Sequence, residues 1–208
     1  MDADRITAEL GVSPEVIGGR RQWWLRGAPQ DRHELALSLG LVETRRVLQL
    51  RRPLPIEETT EIAVRPFDPA TDTARWLEVN AAAFAQHPDQ GQWTEADLNE
   101  RLSADWFDPR GFLVHDGADG VMDGFCWTKV HSSSSPPLGE IYVIGIHPDV
   151  GGRGLGRKLT IAGLDDLAER RGLHVAMLYV ESDNERARAM YQALDFRLHH
   201  DDVAYEPA

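Results

Sequence analysis

Apolar positions along this chain recur with two periods, near two in short runs rich in β-branched and aromatic residues and near 3.6 in longer amphipathic ones. From Ile62 onward the pattern predicts a strand at Ile62 to Arg65, a helix around Thr73 to Ala85 and a turn-rich loop from His87 to Gln92. A helix from Thr94 to Ser103 follows, with Thr94 as its N-cap because a hydroxyl can accept an orphan N–H of the first turn. Strands at Gly111 to His115 and Asp123 to His131 are joined by a Gly/Asp turn at Asp116 to Gly120. The run Gly139-Glu-Ile-Tyr-Val-Ile-Gly-Ile-His-Pro148 reads as a strand with a glycine inside it, a feature of bulges and of close backbone approach. After the loop Asp149 to Gly154, residues Leu155, Leu159, Ala162, Leu164, Leu167 and Ala168 fall mostly on one helical face, and Gly172 stops that helix. A strand at His174 to Glu181 leads through Asn184 to a helix ending at Leu194. Two last strands, near Phe196 to His199 and Val203 to Glu206, complete an α/β order of elements.

Ahead of this part, Arg52-Pro-Leu-Pro-Ile-Glu-Glu-Thr-Thr-Glu61 has the Pro- and acid-rich composition of a linker. Setting residue n beside n+155 lays Trp24-Leu25 on Tyr179-Val180, the helix ending at Leu39 on the one ending at Leu194, and Val47 to Leu50 on Asp202 to Tyr205. The match is one of pattern rather than identity. Residues 1–54 are therefore expected to be a remnant of a second copy, 55–61 a linker and 62–208 the main domain. Such a fragment leaves strand edges unpaired unless it docks. Docking beside the main domain is expected, with a chain starting near Thr60 keeping its function and a monomer as the working form. Self-association through the fragment is the alternative.

Composition narrows the classes of function. Of the 208 residues, 42% are hydrophobic and 27% charged, the balance of a globular protein, and the net charge of −12 argues against a phosphate-backbone partner. The single cysteine, Cys126, excludes an intrachain disulfide and reads as a buried thiol. No leader or bilayer-length apolar run is visible, so a cytoplasmic protein with no membrane or nucleic-acid partner is expected. The histidines and cysteine lack metal-ligand spacing, and no metal is expected.

The chemistry concentrates around Gly151-Gly-Arg-Gly-Leu-Gly-Arg157, between a strand and a helix. Successive N–H groups and a helix N-terminus there form a cradle for a pyrophosphate, with Arg153, Arg157 and Lys158 adding charge. A Walker loop would end in Gly-Lys-Ser/Thr and a Rossmann fingerprint would place a glycine at Leu159, so neither nucleotide motif fits. Glu140, at the start of the preceding strand, is on a period of two placed on one face with Tyr142 and Ile144. It reads either as a general base or as a solvated strand-end carboxylate.

Gly154 and Gly156 meet the Gln/Arg-x-x-Gly-x-Gly/Ala pattern of the GCN5-related N-acetyltransferase superfamily, which the chain resembles. Its first position is Gly151 here, a departure for which weaker ordering of the loop is expected rather than lost binding. The motifs Phe84-Ala-Gln-His-Pro-Asp-Gln-Gly-Gln-Trp93, Trp106-Phe-Asp-Pro109, Trp127-Thr-Lys-Val-His131, Gly139-Glu-Ile-Tyr-Val-Ile-Gly-Ile146 and Leu178-Tyr-Val-Glu-Ser-Asp-Asn184 together resemble the C-terminal half of the mycothiol synthase family. There two acetyltransferase domains stand in tandem, and Trp23 to Leu54 is similar to the end of the first. The resemblance implies a mixed central sheet flanked by helices and acetyl-CoA as co-substrate. It implies contacts to the cofactor from Ile144, Gly145 and Ile146, where the strand splays from its neighbour, from Gly151, Gly152, Arg153, Gly154, Leu155, Gly156 and Arg157, and from Asn184, Glu185, Arg186, Ala187, Arg188 and Ala189. It further implies Glu140 as base, Tyr191 as acid toward the departing thiolate, and acceptor contacts from Asp89, Lys129, Glu140 and Tyr179. Asp89 is one methylene shorter than the family's glutamate. The acceptor implied is the cysteinyl amine of cysteinyl-glucosaminyl-inositol, a small pseudodisaccharide. Rival readings are an acetyltransferase for another amine, such as a protein N-terminus or an aminoglycoside, and a non-catalytic acyl-CoA-binding remnant. Trp93, Trp106 and Trp127 are expected in the core rather than as sugar platforms.

Overall fold

The computed structural model describes residues 2–208 apart from Gly18, Pro88, Asp89 and Arg153. In chain order the elements are α1 (Ala3–Leu10), β1 (Glu15–Ile17), β2 (Arg20–Arg26), α2 (Gln30–Ser38), β3 (Leu41–Pro53), β4 (Arg65–Pro66), α3 (Pro69–Ala83), α4 (Glu95–Leu102), β5 (Phe112–Asp116), β6 (Met122–His131), β7 (Leu138–Ile146), α5 (Leu155–Asp165), β8 (Val175–Glu181), α6 (Glu185–Gln192) and β9 (Arg197–Pro207). They fall into two compact units, Arg52–Leu178 and the combination of Met1–Arg51 with Tyr179–Ala208. Among the described residues no helix is long and apolar enough to cross a membrane.

In the first of these units β4, β5, β6 and β7 are antiparallel neighbours in that order, and β8 adds to β7 in parallel. Aromatic residues on one face of β5 and β6 receive α3. Phe112 stacks between Phe67 and Trp127, each at 4.3 Å, and the fully buried Trp76 meets Phe112 edge-on at 5.8 Å. On the other face α5 packs through Gly163, where a Cβ would lie 2.6 Å from Cys126 Sγ. Burial, with Asp166 nearby, pushes the Cys126 thiol up, so it stays protonated. Thr94 caps α4 as expected, in a reciprocal box with Asp97. The strand expected at Ile62 begins only at Arg65, where Arg65 and Pro66 pair with Val114 and Leu113. Arg65 Nη1 donates to Asp72 at 2.6 Å and Nε to Asp116 at 2.6 Å, tying the first turn of α3 to β5.

In the second unit β9 lies between β2 and β3, antiparallel to both, with β1 on the outer edge of β2. The two strands expected near the C-terminus are one. Aspartates disfavour strands, but here Asp201 takes a bond from Arg46, and Asp202 accepts from Gly27 N at 3.0 Å with His200 Nε2 at 3.3 Å. Trp23, Leu25, Ile6, Leu10, Leu41, Val203 and Tyr205 form the core. Helix α1 is capped by Asp2 and closed by Gly11 at φ 62°.

The register of β3 with β9 reproduces the offset of 155 residues that relates Arg46 to Asp201. Val47 faces Asp202, its own equivalent, and the pairs on either side exchange under the same offset. Thus Arg45↔Ala204 maps onto Gln49↔His200, and Glu43↔Tyr205 onto Leu50↔Leu198. The two bulges, at Thr44 and His199, also map onto each other. β2 and β8 begin and end at equivalent positions.

Two outcomes are expected. A chain beginning at Thr60 removes both strand neighbours of β9 and should lose its cooperative thermal transition, contrary to the independence expected above. Trp23→Ala in the full chain, a milder version, should cost about 3–5 kcal/mol in urea denaturation. The second concerns acid. Burial acts to raise Asp72, but its bonds from Arg65 and from the Asp68 N–H outweigh this and hold it below the usual carboxylate range. A depressed folded value contributes stability above the unfolded pKa, about 3.9, that is lost as pH falls through the folded one. Asp72→Asn should lower the melting temperature at neutral pH and flatten its fall on acidification.

Candidate active site

Strand β7 pairs with β6 along its length, from His131↔Leu138 to Gly124↔Ile146. With β8 it pairs at Gly139↔Ala176, Glu140↔Met177 and Ile141↔Leu178. The pairing with β6 carries a bulge, since Trp127 faces Val143 and Thr128 faces Ile141, leaving Tyr142 as the extra residue.

The bulge corrects the period-two reading of this strand. Lys129 lies opposite Glu140, and its Nζ sits over the Tyr142 ring at 5.0 Å, so Glu140 and Tyr142 share a face. Ile144 does not share it. It lies opposite Cys126, whose sulfur is against α5, because one inserted residue moves every later side chain to the other side. The strand glycine marks a different feature from the bulge. A Cβ at Gly145 would meet the Phe125 ring at 2.8 Å, so its role is close packing.

Glu140 is buried, and His131 Nε2 lies 2.7 Å from its Oε2. Lys129 Nζ is 4.5 Å from the centroid of Trp106 as well as over Tyr142, a cation held between two ring faces. Arg101 Nε donates to Tyr142 Oη at 3.2 Å, and its guanidinium lies 3.9 Å over Trp93. Burial pushes the Tyr142 phenol up; Arg101 opposes this and the Glu140 charge adds to it. Trp127 is in the core, whereas Trp93 and Trp106 are half-buried and each carries a cation on its face. Trp106 and Tyr142, expected from sequence only as a core residue and as a residue on the face of Glu140, and His131 and Arg101, with no expected role, join this cluster. The available signal was the i, i+2 spacing of Lys129 and His131 opposite the start of β7.

Beyond Ile146 a 3-10 turn at Pro148–Val150 leads into the glycine loop, and Gly154 caps α5. Gly152 and Gly154 have φ of 84° and 73°, in the left-handed region, with nothing within 4 Å of a Cβ at either. Gly151 is extended, and Leu155, Gly156 and Arg157 form the first turn of α5, whose early N–H groups have no intrahelical acceptor. Arg157 and Lys158 line an open cleft of about 660 Å³ together with residues 59–63, His115 and Asp123. Asp89 and Arg153 lie outside the described residues.

The remaining residues singled out from sequence belong to the other compact unit. Asn184 caps α6, its Oδ1 accepting from Ala187 N at 3.1 Å, and Arg188 Nη1 donates to Ser182 O at 2.6 Å. Glu185, Arg186 and Ala189 complete the exposed part of the helix. Tyr191 is buried with its ring edge-on to Phe196 at 5.7 Å. Tyr179 is exposed and its hydroxyl accepts from Gln49 Nε2 at 2.7 Å.

Residues 74–196 match the acetyltransferase (GNAT) family. The mycothiol acetyltransferase of Frankia alni is 45% identical over 98% of this chain and 64% of its own length. That of Kocuria rhizophila is 43% identical over 98% of this chain and 71% of its own length. That of Mycobacterium marinum is 42% identical, with 98% and 74% covered. The chain thus spans 64–74% of the length of these curated relatives. Among solved structures, a GCN5-related N-acetyltransferase from Sphaerobacter thermophilus superposes with a TM-score of 0.70 at 22% identity, covering 97% of this chain and 62% of that one. A tandem GNAT protein from the clavulanic acid biosynthesis pathway gives 0.62 at 15% identity, covering 90% and 64%. These two likenesses show the fold, a mixed sheet flanked by helices.

The glycines make separable predictions for denaturation experiments. Gly154→Ala should cost about 1–2 kcal/mol from backbone strain alone. Gly145→Ala should cost about 1–3 kcal/mol through displacement of Phe125.

Proposed function

The chain belongs to the acetyltransferase (GNAT) family, and from that premise we propose that it transfers acetyl from acetyl-CoA to the cysteinyl amine of cysteinyl-glucosaminyl-inositol (desacetylmycothiol), the last step of mycothiol biosynthesis. The observation that carries the reading is a single strand. β7 has a buried carboxylate near its start, bulges at Tyr142, and leads into a glycine loop at a helix N-terminus. That order suits the successive parts of an acyl-CoA, with acyl group and acceptor near Glu140, pantetheine along Ile144, Gly145 and Ile146, and pyrophosphate at residues 151–157. The acceptor is supported by the names of the relatives, each a mycothiol acetyltransferase.

In this scheme the acceptor ammonium gives a proton to Glu140, and the neutral nitrogen attacks the thioester carbonyl. With an amine pKa of about 8, the base has a modest task near neutrality. A main-chain N–H near Ile144 meets the tetrahedral oxyanion, a preorganised donor. Collapse breaks the C–S bond, Tyr191, by family resemblance, protonates the thiolate, and the second proton released by the nitrogen restores the phenol, leaving the amide and the free thiol. Asp89, Lys129 and Tyr179 are assigned to the acceptor and residues 184–189 to the cofactor on the same basis. The ammonium of Lys129 faces the sugar or inositol hydroxyls. The scheme takes residues 62–208 as the catalytic domain, 55–61 as linker and 1–54 as a partial second copy that brings no catalytic group but supplies the strands on both sides of β9, the whole working as a cytoplasmic monomer.

Calorimetry with acetyl-CoA and turnover with three acceptors, desacetylmycothiol, a peptide N-terminus and an aminoglycoside, test it. Saturable cofactor binding and preference for desacetylmycothiol are expected. Preference for another amine would overturn the acceptor, and absence of acetyl-CoA binding the whole reading. Glu140→Gln should lower turnover by about 10²–10⁴-fold, most strongly below pH 8, and Tyr191→Phe should slow transfer while leaving acetyl-CoA affinity unchanged.

A further inference from the structure

Resting on that reading, a second residue acts through the base. Glu140 is buried in the middle of a sheet, its side chain 8% exposed, and its two oxygens are not equivalent. Oε2 is bonded to His131 Nε2 at 2.7 Å, whereas among the described residues no hydrogen bond reaches Oε1. His131 lies on β6 diagonal to Glu140, two residues beyond Lys129, which stands directly opposite it. From β8 the facing residue is Met177, which brings no charge. The other polar groups on this face are Lys129, held by Trp106 and Tyr142, and Tyr142 itself, bonded by Arg101.

A carboxylate free to rotate presents either oxygen in many directions, while a base must have a lone pair aimed at the proton it removes. Anchoring Oε2 fixes the plane of the group and leaves Oε1 as the open acceptor. Within a catalytic pair, the base is commonly oriented by a third group in this way. An imidazole that donates from Nε2 keeps Nδ1 as its acceptor, and with a side chain 30% exposed it can bond that nitrogen to solvent.

We propose that His131 is a positioning residue for the general base, donating Nε2–H to Glu140 Oε2 so that Oε1 faces the acceptor ammonium. The proton of the ammonium passes to Oε1, the Nε2–H bond to Oε2 persists, and no covalent bond to His131 forms.

His131→Leu, which removes the donor, and His131→Gln, whose amide can replace it, are compared with Glu140→Gln in the full chain. Expected for His131→Leu is a fall in kcat of about 10²-fold, with acetyl-CoA affinity unchanged. His131→Gln should restore most of the rate. Carbon-13 NMR of the Glu140 carboxyl gives a readout independent of turnover, with its chemical shift displaced in His131→Leu and returned in His131→Gln. Wild-type kcat and an unmoved carboxyl chemical shift in His131→Leu overturn the inference alone, provided Glu140→Gln is impaired. A His131→Gln variant as slow as His131→Leu overturns it by making the imidazole itself the required group. Full activity of Glu140→Gln overturns the base assignment and this inference with it.

Discussion

β7 is held against β6 from Leu138 to Ile146, and the arrangement around Glu140 depends on the one residue inserted in that pairing. The Tyr142 bulge adds local twist and resets which side chains face α3 and which face α5. Glu140 and Tyr142 are thereby kept with Lys129, while Val143 joins the aromatic core around Trp76. Gly145 then allows the Phe125 ring to pack closely against the strand.

Charge near Glu140 is managed by rings and hydrogen bonds. Lys129 keeps its cation over Trp106 and Tyr142, and Arg101 does the same over Trp93 while bonding the Tyr142 hydroxyl. Both cations thus hold Tyr142, while the partner of the buried Glu140 carboxylate is His131. A cation held on a ring face keeps its hydrogen-bond donors for other acceptors.

The N-terminal segment is bound into its unit by a different constraint. β9 carries adjacent aspartates and a bulge, and it is ordered because β2 and β3 flank it and arginine and main-chain donors neutralise the acids. The local two-fold register between β3 and β9 has a simple physical meaning. Where two equivalent β-α-β segments pair antiparallel through their last strands about a local two-fold, one position meets its own image and the pairs on either side exchange, so a bulge in one strand is matched by the equivalent bulge in the other. Thr44 and His199 are such a pair.

The elements, the glycine loop and the offset of 155 were legible in the chain because each depends on local pattern or on spacing along it. Left-handed glycines before a helix, a threonine three residues ahead of an aspartate, and alternating apolar residues have the same consequences wherever they occur. The family resemblance likewise rests on order and spacing, which sequence preserves. What lay beyond it was register. Whether Ile144 shares a face with Glu140 depends on one unpaired residue, and no local preference distinguishes Tyr142 as that residue from its neighbours. The continuity of β9 through Asp201 and Asp202 depended on partners far away in the chain, as did the meeting of His131 with Glu140 and of Lys129 with Trp106. Those contacts are set by how strands align and by which charges find neutralising neighbours, and that energy exists only once the chain has folded.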